Sequence, residues 1–156
     1  MVHFHFAVTS AVNGNNARID SELLKRAVVE TLQSSKTGHE ADLSIVITDD
    51  PGIQKLNFEF RKINRPTDVL AFPSDEVDPD TGRRYLGDVI ISIQRAQAQA
   101  EAGNHTLEDE LQLLVVHGVL HLVGYDHGEE SEKARMDSLQ NSILTRLGCQ
   151  AGLPGS

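Results

Sequence analysis

Tryptophan is absent, aromatic residues make up only 4 % of the chain, and there is a single cysteine. With so few rings available, the core has to be built from aliphatic side chains. The lone Cys149 cannot close an intrachain disulfide, which fits a reducing cytosol. It also lies far in sequence from the histidines discussed below, which marks it as structural or incidental. No apolar run approaches the length of a membrane span. The N-terminal M-V-H-F-H-F-A-V has neither the basic start nor the apolar stretch of a signal peptide, so the expected location is the cytoplasm. Basic residues are scarce as well: 14 Lys and Arg against 23 Asp and Glu leave a net charge of −9. That is the wrong sign for a protein that binds nucleic acid through its whole surface. Any polyanion it handles must be met by a local basic patch, by a metal, or through a partner protein.

What the chain does have is a histidine run. H-G-V-L-H-L-V-G-Y-D-H places His117, His121 and His127 within one short stretch. Four residues of α-helix rise about 6 Å and turn about 40° past a full circle, so His117 and His121 project from one face. Gly124 can adopt backbone angles closed to other residues, letting the chain leave the helix sharply and bring His127 back as a third ligand. Three histidines with an open fourth position are the catalytic zinc pattern, whereas structural sites usually close all four. The alternative is a chance cluster on a surface helix. The surrounding residues are apolar almost without a break, and imidazoles among Leu and Val are costly to bury unless they find strong partners. Histidine ligands also accept nickel, copper and iron.

At 156 residues the chain is expected to form one domain over residues 1–150, with 151–156 as a flexible tail. Alternation predicts a strand over Val2 to Val8, followed by a polar turn at Asn13 to Asn16. Asp20 or Ser21 caps a helix running to about Ser34. Leu43 to Thr48 reads as a strand, and Asp49-Asp50-Pro51 opens a helix ending near Arg61. Val69 to Phe72 is a short strand stopped by Pro73. Ser74 to Arg84 is a polar loop or hairpin tip, and Tyr85 to Ile93 the next strand. A helix follows from about Ser92 to Ala102, and Gly103-Asn104 breaks it. Thr106 starts the helix that carries the histidine pair to Val123, apolar nearly all round and therefore central and buried. A last amphipathic helix spans about Glu129 to Leu147. About four strands and five helices in mixed order predict a single α+β domain with a mixed sheet.

The three histidines and Gly124 fall in register with the metalloprotease pattern H-E-x-x-H-x-x-G-x-x-H. Gly118 stands where that pattern has the glutamate that serves as general base. The register therefore predicts a zincin-like cradle on the central helix, and Gly118 argues against the peptidase reaction. Met136, in a helix stripe, reads as core rather than as a Met-turn.

Together with I-T-D-D (47–50), L-N-F-E-F-R (56–61), R-P-T-D-V-L-A-F-P (65–73) and L-G-D-V-I-I-S (86–92), the histidine run resembles the signature of the bacterial YbeY family of metal-dependent endoribonucleases. The resemblance extends from about residue 45 to 127. It implies a zinc ion held by His117, His121 and His127, and a functional arginine at Arg61. It further implies a role in maturation of ribosomal RNA, at the 3′ end of the 16S RNA, and in ribosome quality control. The implied partners are ribosomal RNA and the small ribosomal subunit or its assembly factors, with no membrane and no DNA. Two departures touch no ligand: Lys62 stands where the family often has Gly, and Ala71 where Ser is usual.

The physical chemistry of these residues agrees in part. Arg61 offers a planar, permanently charged fork suited to phosphate oxygens, the alternative being a surface ion pair with Glu59 or another acid. Lys62, Arg65, Arg83 and Arg84 would extend a basic rim or sit on a solvated loop. Asp126, beside His127, would act as base or would orient a ligand imidazole. Asp68 and Asp88 lie in the matched motifs, where turn-capping carboxylates look the same; Glu110 reads as structural. The expected catalytic residues are thus Arg61, His117 and Asp126. Two other functions stay open: a metallohydrolase of another class, peptidase-like, or a non-catalytic ribosome assembly factor with a structural zinc.

Overall fold

The computed structural model describes residues 3–9, 19–37, 41–126 and 128–151. The expected turn at Asn13 to Asn16, the tail from 152 and, most consequentially, His127 lie outside the described residues. The elements in chain order are β1 (His3–Val8), α1 (Ser21–Ser34), β2 (Ala41–Thr48), α2 (Asp50–Arg61), β3 (Val69–Pro73), β4 (Arg84–Ser92), α3 (Ile93–Gly103), α4 (Leu107–Leu122) and α5 (Glu130–Leu147). Among the described residues, four strands and five helices in one α+β arrangement match the sequence-based expectation.

Local chemistry explains where the helices begin. Asp20 accepts from the amides of Glu22 and Leu23 at 3.0 and 3.3 Å, which identifies it, rather than Ser21, as the cap of α1. Asp49 accepts from Gly52 N at 2.9 Å, with Pro51 in the first turn of α2. Thr106 accepts from Asp109 N at 3.1 Å, and Glu108, Asp109 and Glu110 place negative charge on the positive end of α4.

The sheet runs in the order β1-β2-β4-β3. β1, β2 and β4 are parallel, and β3 is an antiparallel edge strand on β4. Several boundaries shift by a residue or two from the expectation: β3 takes in Pro73, β4 begins at Arg84, and two other shifts have a visible cause. β2 starts at Ala41, two residues early, because the polar Asp42 is held in the strand by Arg83 at 2.6 Å. β4 stops at Ser92 because that hydroxyl turns to cap α3, accepting from Arg95 N at 3.3 Å. The polar segment after Pro73 is a hairpin tip, with Ser74 N donating to Leu86 O at 2.9 Å and Tyr85 N to Glu76 O at 2.8 Å.

The two faces of the sheet are covered unequally. One packs against α1, α4 and α5, where Leu43, Ile45, Ile47, Val89 and Ile91 meet Leu24, Val115, Val119 and Met136 in a single aliphatic core. The other carries, among the described residues, only α2, through Ile53 against Leu70 and Ile90. Cys149 and Ala151 are buried in the larger core, so packing reaches the last described residue. α4 is the central helix the sequence predicts: Leu111, Leu114, Val115, Val116, Val119 and Leu120 are each at most 3 % exposed.

Gly118 lies on the face of α4 that meets β4. A Cβ there would stand 2.6 Å from Val89 Cγ1 and 3.0 Å from Cγ2. Helix and strand approach closely because this position has no side chain. The histidines on either side of Gly118 are thereby held against the edge of the sheet.

Candidate metal centre and active site

His117 and His121 come from one face of α4 with ring centroids 4.7 Å apart. Their Nε2 atoms are 3.2 Å from each other. His117 Nδ1 lies 3.0 Å from Gln140 Oε1 on α5. An amide oxygen only accepts, so this contact places the His117 proton on Nδ1 and leaves Nε2 as a lone pair. That lone pair points at the second imidazole. Two nitrogens bound tetrahedrally to one zinc, at about 2.0–2.1 Å each, stand about 3.3 Å apart. The observed separation fits that pair, and an imidazole anchored through its other nitrogen is the usual support of a zinc-binding histidine.

The chain turns away just after this pair, at Gly124, whose φ of +103° disfavours any other residue. Gly124 N donates to His121 O and Tyr125 N to Leu120 O, at 3.1 and 3.0 Å, closing the helix. The turn expected from the sequence is therefore present on the side from which His127 would return. With His127 outside the described residues, no cluster of three potential ligands occurs among those described.

A cavity of about 560 Å³ opens over the pair. Its walls are α4 at His117, Gly118 and His121, and the edge strand β3 at Val69, Ala71 and Pro73. The turn residues Gly124, Tyr125 and Asp126 line it as well, as do Arg61 and Asp68. Arg61, His117, His121 and Asp126 thus share one cavity, although they come from two separate parts of the chain. Arg61 is the last residue of α2, which Lys62 terminates in a left-handed conformation at φ +61°. Asn57 steadies the following loop, its side-chain amide donating to Arg65 O at 2.9 Å. The alternative ion pair with Glu59 does not form, and Arg61 makes no ion pair among the described residues.

Asp68 lines the cavity, and its oxygens are already engaged. One accepts from Val69 N at 2.8 Å and the other from Gln99 Nε2 at 3.2 Å. Asp88 does not reach the cavity; it accepts from the Tyr85 hydroxyl, which also meets Ser44 Oγ at 2.7 Å. Burial, reinforced by Asp88, pushes the Tyr85 hydroxyl above its ordinary pKa. Glu110 is structural, buried and paired with His105 at 2.6 Å, and burial raises its carboxyl pKa. Of the two alternatives for the basic residues, a rim or a solvated loop, no rim forms around this cavity. Arg83 is occupied by Asp42 and by Ala41 O, Arg84 leans to Asp75 at 3.5 Å, and neither lines the cavity, nor do Lys62 and Arg65.

Two residues at the site escaped the sequence reading. Gln140 had a usable signal: it falls between Met136 and Ile143 at helical spacing, a polar residue on an inward stripe. Tyr125 had none beyond its place in the histidine run.

The chain is similar to several known proteins. The family model described as Endoribonuclease YbeY matches residues 10–148. The Endoribonuclease YbeY of Roseiflexus castenholzii is 44% identical over 137 residues, covering 85% of this chain and 86% of that protein. The Renibacterium salmoninarum protein of the same name is 48% identical over 111 residues, covering 68% and 71% of the two chains. A solution structure of the Thermotoga maritima protein TM1509 superposes with a TM-score of 0.56 at 24% identity, covering 98% of this chain and 99% of that one. That structure speaks for the fold alone.

Proposed function

The chain belongs to the YbeY family of endoribonucleases, and on that premise we propose that it is a zinc-dependent, single-strand-specific endoribonuclease. Its proposed task is ribosomal RNA maturation at the 3′ end of the 16S RNA, and ribosome quality control. The observation that carries the reading is the 3.2 Å approach of the two imidazole nitrogens, one ring locked by Gln140, in a cavity shared with Arg61.

His117, His121 and His127 would hold one zinc per chain in a zincin-like cradle. Bound there, zinc supplies Lewis-acid polarisation of a phosphoryl oxygen. The chain's own groups do the rest. Arg61, at the cavity edge and without an ion-pair partner among the described residues, binds the non-bridging phosphate oxygens as a bidentate fork. Its charge answers the phosphate in a protein of net charge −9. Asp126 is the proposed proton acceptor, its carboxylate taking the proton of the attacking hydroxyl, whether a water or the neighbouring 2′-OH. Asp68, tied to Val69 N and Gln99, instead fixes the start of β3. The close packing of Gly118 on Val89 weighs against a peptidase, because the missing glutamate could not be accommodated without displacing the Val89 side chain.

Among the described residues no helix is long and apolar enough to cross a membrane. We place the activity in the cytoplasm, with the small ribosomal subunit or its assembly factors as partners. The test is cleavage of a ribosomal RNA precursor by the purified, zinc-loaded protein beside His117→Ala and Arg61→Ala. Cleavage is expected from the wild type alone. Equal cleavage by all three would trace the activity to a contaminant and defeat the proposal.

A further inference from the structure

We propose that the groove between the end of α1 and the outer face of α5 carries the RNA strand away from the metal cleft, with Lys36 and Arg135 holding its phosphates. Tyr125 marks the bend between cleft and groove. The inference rests on the endoribonuclease reading above and adds to it the path of the substrate.

Continuity comes first. The cleft over the histidines shares Gly124, Tyr125 and Asp126 with a smaller cavity of about 250 Å³, which also reaches Arg135. That cavity in turn shares Tyr125 and Arg135 with a groove of about 550 Å³. Tyr125 therefore lines all three. Its side chain is half-buried against the core, and its backbone amide is tied to Leu120 O at 3.0 Å. A half-buried aromatic ring at a junction of cavities is a stacking surface for an unpaired base.

The second observation is the chemistry of the groove. Lys36 and Arg135 line it together with the hydroxyls of Ser34, Ser35, Ser138 and Ser142, and among the described residues no carboxylate is in its walls. This stands out in a chain with 23 acids against 14 bases. The neighbouring cavity between α1 and α5 is lined by both signs: Glu22 and Glu30 share its walls with Lys25, Arg26 and Arg146, and Arg146 lies 2.7 Å from Glu30. Lys36 and Arg135 form no ion pair among the described residues. Two unanswered cations among hydroxyls fit successive phosphates of a strand.

The connecting cavity has the opposite character, because Asp126 and Glu132 line it. A phosphate avoids that stretch. A ribose and its base, which offer hydroxyl and amino donors to carboxylates, occupy it instead, so the phosphates fall on either side, at Arg61 and at Arg135.

The test is fluorescence anisotropy of the purified protein with phosphorothioate oligouridylates of about 12 and about 3 nucleotides, across a salt series. Lys36→Ala/Arg135→Ala is expected to lose about tenfold in affinity for the longer strand, and its log–log salt slope to fall by about 1.4, two phosphate contacts' worth for single strands. Binding of the shorter strand should not change, whereas Arg61→Ala should weaken both. Both groove residues are exposed, and an unchanged Tm confirms that the double variant folds. If the wild type binds the long strand and the double variant matches it in affinity and slope, the path is wrong while the nuclease reading stands. A wild type that neither binds nor cleaves RNA defeats both.

Discussion

Gly118→Ala isolates the contact that sets α4 against the sheet. On an open helix face the substitution would stabilise the protein, because alanine is favoured over glycine in a helix interior by about 1 kcal/mol. Here the new Cβ would sit 2.6 and 3.0 Å from the two methyls of Val89, against about 3.5–4.0 Å for an ordinary carbon contact. Val89 is fully buried, is paired with Ile45 and Ala71 on its flanking strands, and has one stiff side-chain torsion, so it cannot step aside cheaply. Overpacking of this kind costs about 1–3 kcal/mol, and an overlap this large belongs in the upper part of that range. After the helix gain is subtracted, the expected net loss is about 1–2 kcal/mol, which in a domain of this size lowers Tm by about 2–8 °C. Val89→Ala removes the obstructing methyls, so the double variant should be more stable than the two single losses predict, with a coupling of about 1–2 kcal/mol. Thermal unfolding of the four proteins at one fixed zinc concentration measures this. A Gly118→Ala protein that melts above wild type, or a cycle with no coupling, would refute the reasoning.

Lys62 occupies a left-handed conformation at the end of α2, so Lys62→Gly should stabilise by about 1 kcal/mol in urea titration; a loss would mean that its side chain contributes more than its backbone costs. Gln140→Ala removes the acceptor that fixes the His117 ring and should weaken zinc binding about 10–100-fold in chelator competition, while Gln140→Glu, which keeps an acceptor, should restore it. Unchanged affinity in Gln140→Ala would remove Gln140 from the site. Burial pushes the Cys149 thiol from 9.0 up to about 11, so the folded chain holds this proton more tightly than the unfolded one. Its contribution to stability is complete below about pH 9 and is lost as pH rises toward 11, a loss that Cys149→Ala should lack. At pH 8 the native thiol should react with a disulfide reagent far more slowly than after denaturation; equal rates would contradict its burial.

The parts of the fold legible in the sequence are those where a local pattern carries the information. α4 could be read because it is apolar on nearly every side, and its histidine pair because i, i+4 spacing fixes a shared face whatever the helix packs against. Arg61 and Arg83 show the limit. Both are arginines near the end of an element, yet Arg83 is absorbed by Asp42, 41 residues earlier and on the neighbouring strand, while Arg61 stands at the cavity. Nothing local distinguishes them; the strand register does. Gln140 is legible in the sequence as a polar residue on an inward stripe of α5, but its partner is not: the position of α5 beside α4 turns it toward His117. Gly118 could be recognised as a missing glutamate, but the reason for the glycine lies in Val89, which another element supplies.

The central claim is that His117, His121 and His127 hold a catalytic metal, and its most direct test is the zinc content of protein purified without a metal-binding tag. About one zinc per wild-type chain is expected, falling to background in His127→Ala as well as in His117→Ala and His121→Ala. Zinc retained at full occupancy in His127→Ala, or absent from a folded wild type that still cleaves RNA, would contradict the account.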